Sequence, residues 1–284
     1  MREKISVNGI DYKVERPLGH GKYGTSRIVE RNGNRFVLAQ FDDAALFKAR
    51  LDDYEKLKKK QNLGLTAVQK LILQLAAAFV FIFLLRYFGY LNPNLYVPFI
   101  DTTLPLGEVL YFAFAAFVIV GCVNAVNLTD GVDGLASGVT IPVGIFYMAI
   151  SAYWGYESTG VFGAAMAGSL CGFLIFNFHP AKVFMGDTGS LYLGGAVCAM
   201  AFALDMPLVL VTLGFVYIVE TLSDIIQVTY FKLSHGKRIF KMAPIHHHFE
   251  MCGWSEEKVF TVFSTVSAIF AVISYIAVFK RYGL

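Results

Sequence analysis

EVLYFAFAAFVIVGCVNAVNLTDGVDG, residues 108–134, decides the fold class. From Val109 to Val123 no side chain is charged, and no polar face recurs every three or four residues. A helix apolar all round belongs in a bilayer or a deep core, and the run over 108–126 has the length that a bilayer demands, about 20 residues. It passes directly into two asparagines, two aspartates and two glycines: Asn124, Asn127, Asp130, Gly131, Asp133 and Gly134.

Outward from that stretch, six further runs of the same kind read as spans: 71–90, 137–154, 160–177, 189–205, 207–228 and 259–279. Those over 137–154 and 189–205 are short and contain glycine. The composition agrees. The 284 residues are 56% hydrophobic and 16% charged, against about 25% charged in soluble domains, and the mean hydropathy is +0.56. The fold class expected is an all-α polytopic membrane protein with about seven transmembrane helices and a short strand-rich amino-terminal segment. A net charge of +3 is too small to point to nucleic acid. The four cysteines lie far apart, with neither a disulfide framework nor a paired metal motif. Residues 1–20 are polar, so no cleavable signal peptide is expected there.

Seven spans put the connections 48–70, 125–136, 178–188 and 229–258 on one side, with 13 lysines and arginines against 3 on the other. The richer side is expected to be cytoplasmic. The chemistry-bearing clusters share that side. Asp52 and Asp53 precede the first span, with Lys56 after them; paired carboxylates hold a divalent cation or divide base and metal-binding roles, and a solvated turn has the same composition. The Asp130-x-x-Asp133 spacing puts two carboxylates on one helical face, although Asp and Asn also form turns. No EF-hand is present, because the terminal Glu is missing. In the stretch from Asn177 to Ser190, Gly186 to Ser190 read as a helix start whose free N–H groups suit phosphate; Asp187 there is a magnesium ligand or a cap. His246, His247 and His248 are adjacent and point in different directions, so they suit phosphate contacts better than one tetrahedral zinc. Glu220 and Asp224 fall inside the sixth span, where carboxylates are functional candidates. Together these groups suit magnesium-assisted phosphoryl transfer.

DDYEKLKKKQNLGLTAVQK (52–70), NAVNLTDGVDGLASG (124–138), FNFHPAKVFMGDTGSLYLGG (176–195), VETLSDIIQV (219–228) and RIFKMAPIHHHFEMCGW (238–254) resemble, in order, the phospho-N-acetylmuramoyl-pentapeptide-transferase family of the polyprenyl-phosphate N-acetylhexosamine-1-phosphate transferases. The resemblance implies transfer of phospho-N-acetylmuramoyl-pentapeptide from UDP to undecaprenyl phosphate, forming lipid I for peptidoglycan synthesis at the cytoplasmic face of the bacterial inner membrane. The cofactor implied is magnesium, held by Asp187, and a homodimer is compatible with it. The catalytic group implied is Asp52, Asp53, Asp187 and His246, with Asp52 as base on the lipid phosphate. Lys56, Asn127, Asp130, Asp133, Asn177, Phe184, His247 and His248 are implied to bind substrate. A transferase for UDP-N-acetylhexosamine is the neighbouring alternative; an inactive membrane protein is the other.

The resemblance runs from about 52 to 284, whereas that family has ten spans. Three spans before the paired aspartates are therefore expected to be missing, with activity below that of a ten-span relative. Residues 1–50 instead resemble a fragment of a protein-kinase N-lobe, in YKVERPLGHGKYGTSRIVERNGNRFVLAQ (12–40): Gly19, Gly21 and Gly24 form a G-x-G-x-x-G between two expected strands. Ala39 stands where the kinase lysine belongs, and no HRD or DFG follows. The organisation expected is 1–50 as a non-functional kinase-like fragment and 51–284 as the membrane-embedded transferase domain.

Overall fold

The computed structural model describes residues 65–281 and, before them, the backbone of strands over 4–7, 10–21, 24–31 and 34–41. The chain forms two compact units, Met1–Gln69 and Lys70–Leu284.

In the first unit, strands β1 (Lys4–Val7), β2 (Ile10–Gly21), β3 (Gly24–Arg31) and β4 (Asn34–Phe41) form an antiparallel sheet in chain order. Val7 pairs with Ile10 and Arg31 with Asn34. The residues between these pairs are Asn8-Gly9 and Asn32-Gly33, the dipeptides that two-residue hairpin connections favour. The β2–β3 register shifts between Val14 and Arg16 and again between Pro17 and Gly19, as a proline that lacks a ladder donor requires. The glycine motif lies across the β2–β3 pairing, and Ala39 lies on β4 opposite Ser26.

The second unit is a helical bundle: α1 (Ala67–Tyr87), α2 (Glu108–Thr129), α3 (Leu135–Trp154), α4 (Glu157–Asn177), α5 (Gly186–Ala203), a 3-10 turn (Pro207–Val209) leading into α6 (Leu210–Leu213), α7 (Phe215–Leu233), α8 (Ile245–Met251) and α9 (Glu256–Val278). It makes this a multi-pass membrane protein. Among the described residues, five helices are long and apolar enough to cross a bilayer: α1, α2, α3, α4 and α9. The 3-10 turn, α6 and α7 make a sixth crossing if counted as one span, bent by 79°.

Two of the about seven expected spans take a different form in the structure. The run 207–228 breaks at Gly214, where an added Cβ would meet the Leu210 carbonyl oxygen at 2.7 Å; apolarity records no bend. The run 189–205 is α5, eighteen residues long and too polar in its first turn to qualify. It nevertheless extends about 27 Å at 1.5 Å per residue, antiparallel to α2. Asp187 near its start faces Asn127 near the end of α2, and beyond its other end Asp205 meets Arg281, which follows α9.

Packing follows small residues, as it does between membrane helices. A Cβ on Gly194 of α5 would lie 2.6 Å from the Val123 Cα of α2, and one on Gly163 of α4 would lie 2.8 Å from the Met148 nitrogen of α3. α3 is the central helix, buried at intervals from Leu135 to Ser151, whereas α1 buries only Ala78 and Ile82. Its exposed Phe79, Val80 and Phe83 suit lipid contact. A hairpin of β5 (Asn94–Val97) and β6 (Thr102–Pro105) closes the end away from Asp130. There Arg281 lies 4.1 Å over the Tyr96 ring and bonds Asp205 Oδ2 at 2.7 Å.

Candidate active site

Three segments, from two chain reversals, build one cavity at the opposite end. The first follows α2, where the Asp130 N–H bonds the Asn127 carbonyl at 3.2 Å and Thr129 Oγ1 donates to the Ala125 carbonyl at 2.9 Å. Gly134, with φ of 77°, then turns the chain into α3, a left-handed conformation that glycine adopts without strain. The second follows α4. The Lys182 N–H bonds the Phe176 carbonyl at 2.7 Å, and Asn177 Nδ2 donates to the Val183 carbonyl at 2.9 Å. The third is the first turn of α5, the helix start expected at Gly186–Ser190, where Ser190 Oγ donates to the Gly186 carbonyl at 3.0 Å.

The cavity measures about 310 Å³ and is lined by Asn127, Asp130, Gly131, Val132, Asp133, Asn177, Phe184, Met185, Gly186 and Asp187. Six residues expected from the sequence therefore meet in one place: Asn127, Asp130, Asp133, Asn177, Phe184 and Asp187. Asn127 Nδ2 donates to Ser190 Oγ at 2.8 Å and to Asp187 Oδ1 at 3.3 Å. The Lys70 ammonium, from α1, contacts Asp187 Oδ2. Phe184 is 74% exposed, so its ring face is open to a planar ligand. Burial, and then the nearby Asp187 charge, push the Asp130 carboxyl up to about 6.

The three histidines diverge as expected. His246 is fully buried, and its Nδ1 lies 2.8 Å from Oε2 of the equally buried Glu220. Its ring backs the cavity loop, for a Cβ on Gly131 would lie 2.3 Å from His246 Nε2. Neither His246 Nε2 nor Glu220 Oε1 has a hydrogen-bond partner among the described residues. His247 pairs with Glu250, and His248 Nδ1 accepts the Lys241 N–H at 3.1 Å. None of the three lines the cavity. Asp52, Asp53 and Lys56 lie outside the described residues.

Two features escaped the sequence reading. Lys70 counted there only as one positive charge among many, and its place at the start of the first span was the available signal. A second cluster adjoins the cavity: His179 Nδ1 lies 3.2 Å from Asp133 Oδ2 and 3.2 Å from Glu256 Oε2.

The sequence profile of glycosyl transferase family 4 matches residues 42–205. The chain is 51% identical over 229 residues to the phospho-N-acetylmuramoyl-pentapeptide-transferase of Clostridium botulinum (strain Eklund 17B / Type B), covering 80% of this chain and 69% of the relative. It is 47% identical over 229 residues to the enzyme of that name from Clostridium acetobutylicum, covering 80% and 71%. Against that of Clostridioides difficile (strain 630) it is 49% identical over 230 residues, covering 81% and 71%.

Proposed function

Because the chain belongs to glycosyl transferase family 4, we propose that it transfers phospho-N-acetylmuramoyl-pentapeptide from its UDP carrier to undecaprenyl phosphate, releasing UMP and forming lipid I at the cytoplasmic face of the bacterial inner membrane. The observation that carries this reading is the convergence of Asn127, Asp130, Asp133, Asn177, Phe184 and Asp187, from two separate chain reversals, on one cavity.

In the reaction an oxygen of the lipid phosphate bonds to the sugar-linked phosphorus. The bond from that phosphorus to the bridging oxygen breaks, and the oxygen leaves with UMP. Such transfer needs positioning and charge more than covalent help from the protein. Phe184 offers its exposed face to the uracil, and Asn177 and Asp133 border the nucleoside. Lys70, with Lys56 of the acidic motif, supplies positive charge to the pyrophosphate. Asp52 takes the role of base on the lipid phosphate, with Asp53 beside it. His246, held by Glu220, fixes the Gly131 wall, and His247 and His248 face the sugar-peptide end.

The donors at the cavity fit a hard divalent cation, since Asp130, Asp187 and the Asn127 amide offer oxygen ligands. The Asp187 charge that helps raise the Asp130 carboxyl is a repulsion that a dication would relieve. Magnesium held by Asp187 and Asp130 would neutralise pyrophosphate charge and polarise the leaving oxygen. The sign of the pH effect follows. The folded Asp130 carboxyl titrates at about 6, above its ordinary value of 3.8, so its anionic form is complete only above about 6. Divalent-cation binding is expected to weaken as pH falls through about 6, and Asp130→Asn to remove that dependence. Manganese titrations followed by electron paramagnetic resonance at several pH values measure this; an affinity flat down to pH 5 would contradict it.

Radiolabelled UDP-N-acetylmuramoyl-pentapeptide and UDP-N-acetylhexosamine, offered separately with undecaprenyl phosphate, test the donor. Label entering lipid only from the hexosamine donor would overturn the reading. Residues 1–50 are proposed to be a kinase-like piece without nucleotide binding, on the grounds of Ala39 and the missing loops. ATP is expected to leave the melting temperature of the chain unchanged, and a saturable rise would refute this.

A further inference from the structure

Asp133, His179 and Glu256 come from three places: the loop after α2, the loop after α4 and the first residue of α9. His179 Nδ1 stands 3.2 Å from a carboxylate oxygen of each partner, and the three ligand atoms all lie within 4.8 Å of one another. Ligands bound at 2.0–2.2 Å to a tetrahedral ion stand about 3.3–3.6 Å apart, so two of the three separations are near those of an assembled site. Asp133 Oδ2 also accepts the Ala181 N–H at 2.8 Å, the kind of bond that orients a ligating carboxylate from behind. The side chains are 34% exposed for His179, 20% for Asp133 and 33% for Glu256, which leaves a path for an ion and room for a water ligand.

We propose that Asp133, His179 and Glu256 form a second divalent-cation site, one that takes zinc, apart from the oxygen-only donors around Asp187. A mixed imidazole and carboxylate set suits zinc better than magnesium. An ion there ties the cavity loop, the Asn177–Met185 loop and the amino-terminal end of α9 together. It therefore sets the shape of the cavity wall that Asp133 shares, without touching the transferred phosphoryl group. The competing account of the same contacts is a protonated His179 bridging two carboxylates with no metal.

Zinc titration of the purified, metal-stripped full chain in detergent separates the two. Melting temperature and calorimetric affinity are read for wild type, His179→Ala, Glu256→Gln and Asp187→Asn. The expected result is a zinc-dependent rise in melting temperature for wild type and Asp187→Asn, with zinc affinity at least tenfold weaker in both His179→Ala and Glu256→Gln. Glu256→Gln keeps the size and polarity of the side chain, so it serves if His179→Ala fails to fold. Zinc affinity equal to wild type in the folded variant, or lost in Asp187→Asn, overturns the proposal. A wild type that binds no zinc also overturns it, in favour of the protonated histidine.

Discussion

Asp187→Asn is expected to lower the turnover of phosphoryl transfer by about 10²–10³ or more, the loss typical when one electrostatic group of a site is removed, while the protein stays folded. The two halves of this result have separate causes. Asn keeps the shape of Asp187 and an oxygen for Asn127, but it removes the charge that would hold a dication and that now meets the Lys70 ammonium. The Asp187 side chain is 59% exposed, and an ion pair that open contributes about 0–1 kcal/mol to stability. Activity therefore falls without unfolding. UMP release at saturating magnesium, measured beside the melting temperature, checks both; wild-type turnover in the variant would remove Asp187 from the cation site.

The largest effect on stability is expected from Glu220→Ala. Glu220 and His246 are both fully buried and hold each other at 2.8 Å. Removing one partner strands the other away from water, which costs about 3–5 kcal/mol in buried pairs. For a chain of this size that corresponds to a fall in melting temperature of roughly 10 °C. Glu220→Gln keeps an acceptor for His246 Nδ1 and is expected to recover much of the loss. Because the His246 ring backs Gly131, Glu220→Ala is also expected to raise KM for the donor even where the protein remains folded. A melting temperature within about 2 °C of wild type, a shift of the size that 1 kcal/mol or less produces, would show that the pair contributes little.

Elements whose physics is local were legible in the sequence. The spans over α1, α2, α3, α4 and α9 follow from apolar length alone, and the Asn-Gly dipeptides mark two of the strand reversals. The cavity residues Asn127, Asp130, Asp133, Asn177 and Asp187 stood out because polar groups crowd the ends of apolar runs on one side, whereas Phe184 was implied only by the family resemblance. Elements set by partners distant in the chain were not legible. The 79° bend at Gly214 depends on how the helix meets the rest of the bundle, and a mean over apolar residues records no direction. α5 reads as a short span because its glycines serve close packing on α2, which dilutes its apolarity. Lys70 is one of several lysines in its stretch until its contact with Asp187 distinguishes it. Glu256 reads as an acidic residue in the first turn of a helix until His179, from another loop, is placed beside it. The three histidines are identical as letters, and only the buried Glu220 separates His246 from the other two.

Lipid I synthesis is tested most directly by UMP release from the purified chain in the presence of UDP-N-acetylmuramoyl-pentapeptide, undecaprenyl phosphate and magnesium, with each omitted in turn. UMP is expected to form only when all three are present, matched one for one by labelled muramoyl-pentapeptide entering lipid. Folded protein that releases no UMP with all three present, or releases it equally without the lipid acceptor, would contradict it.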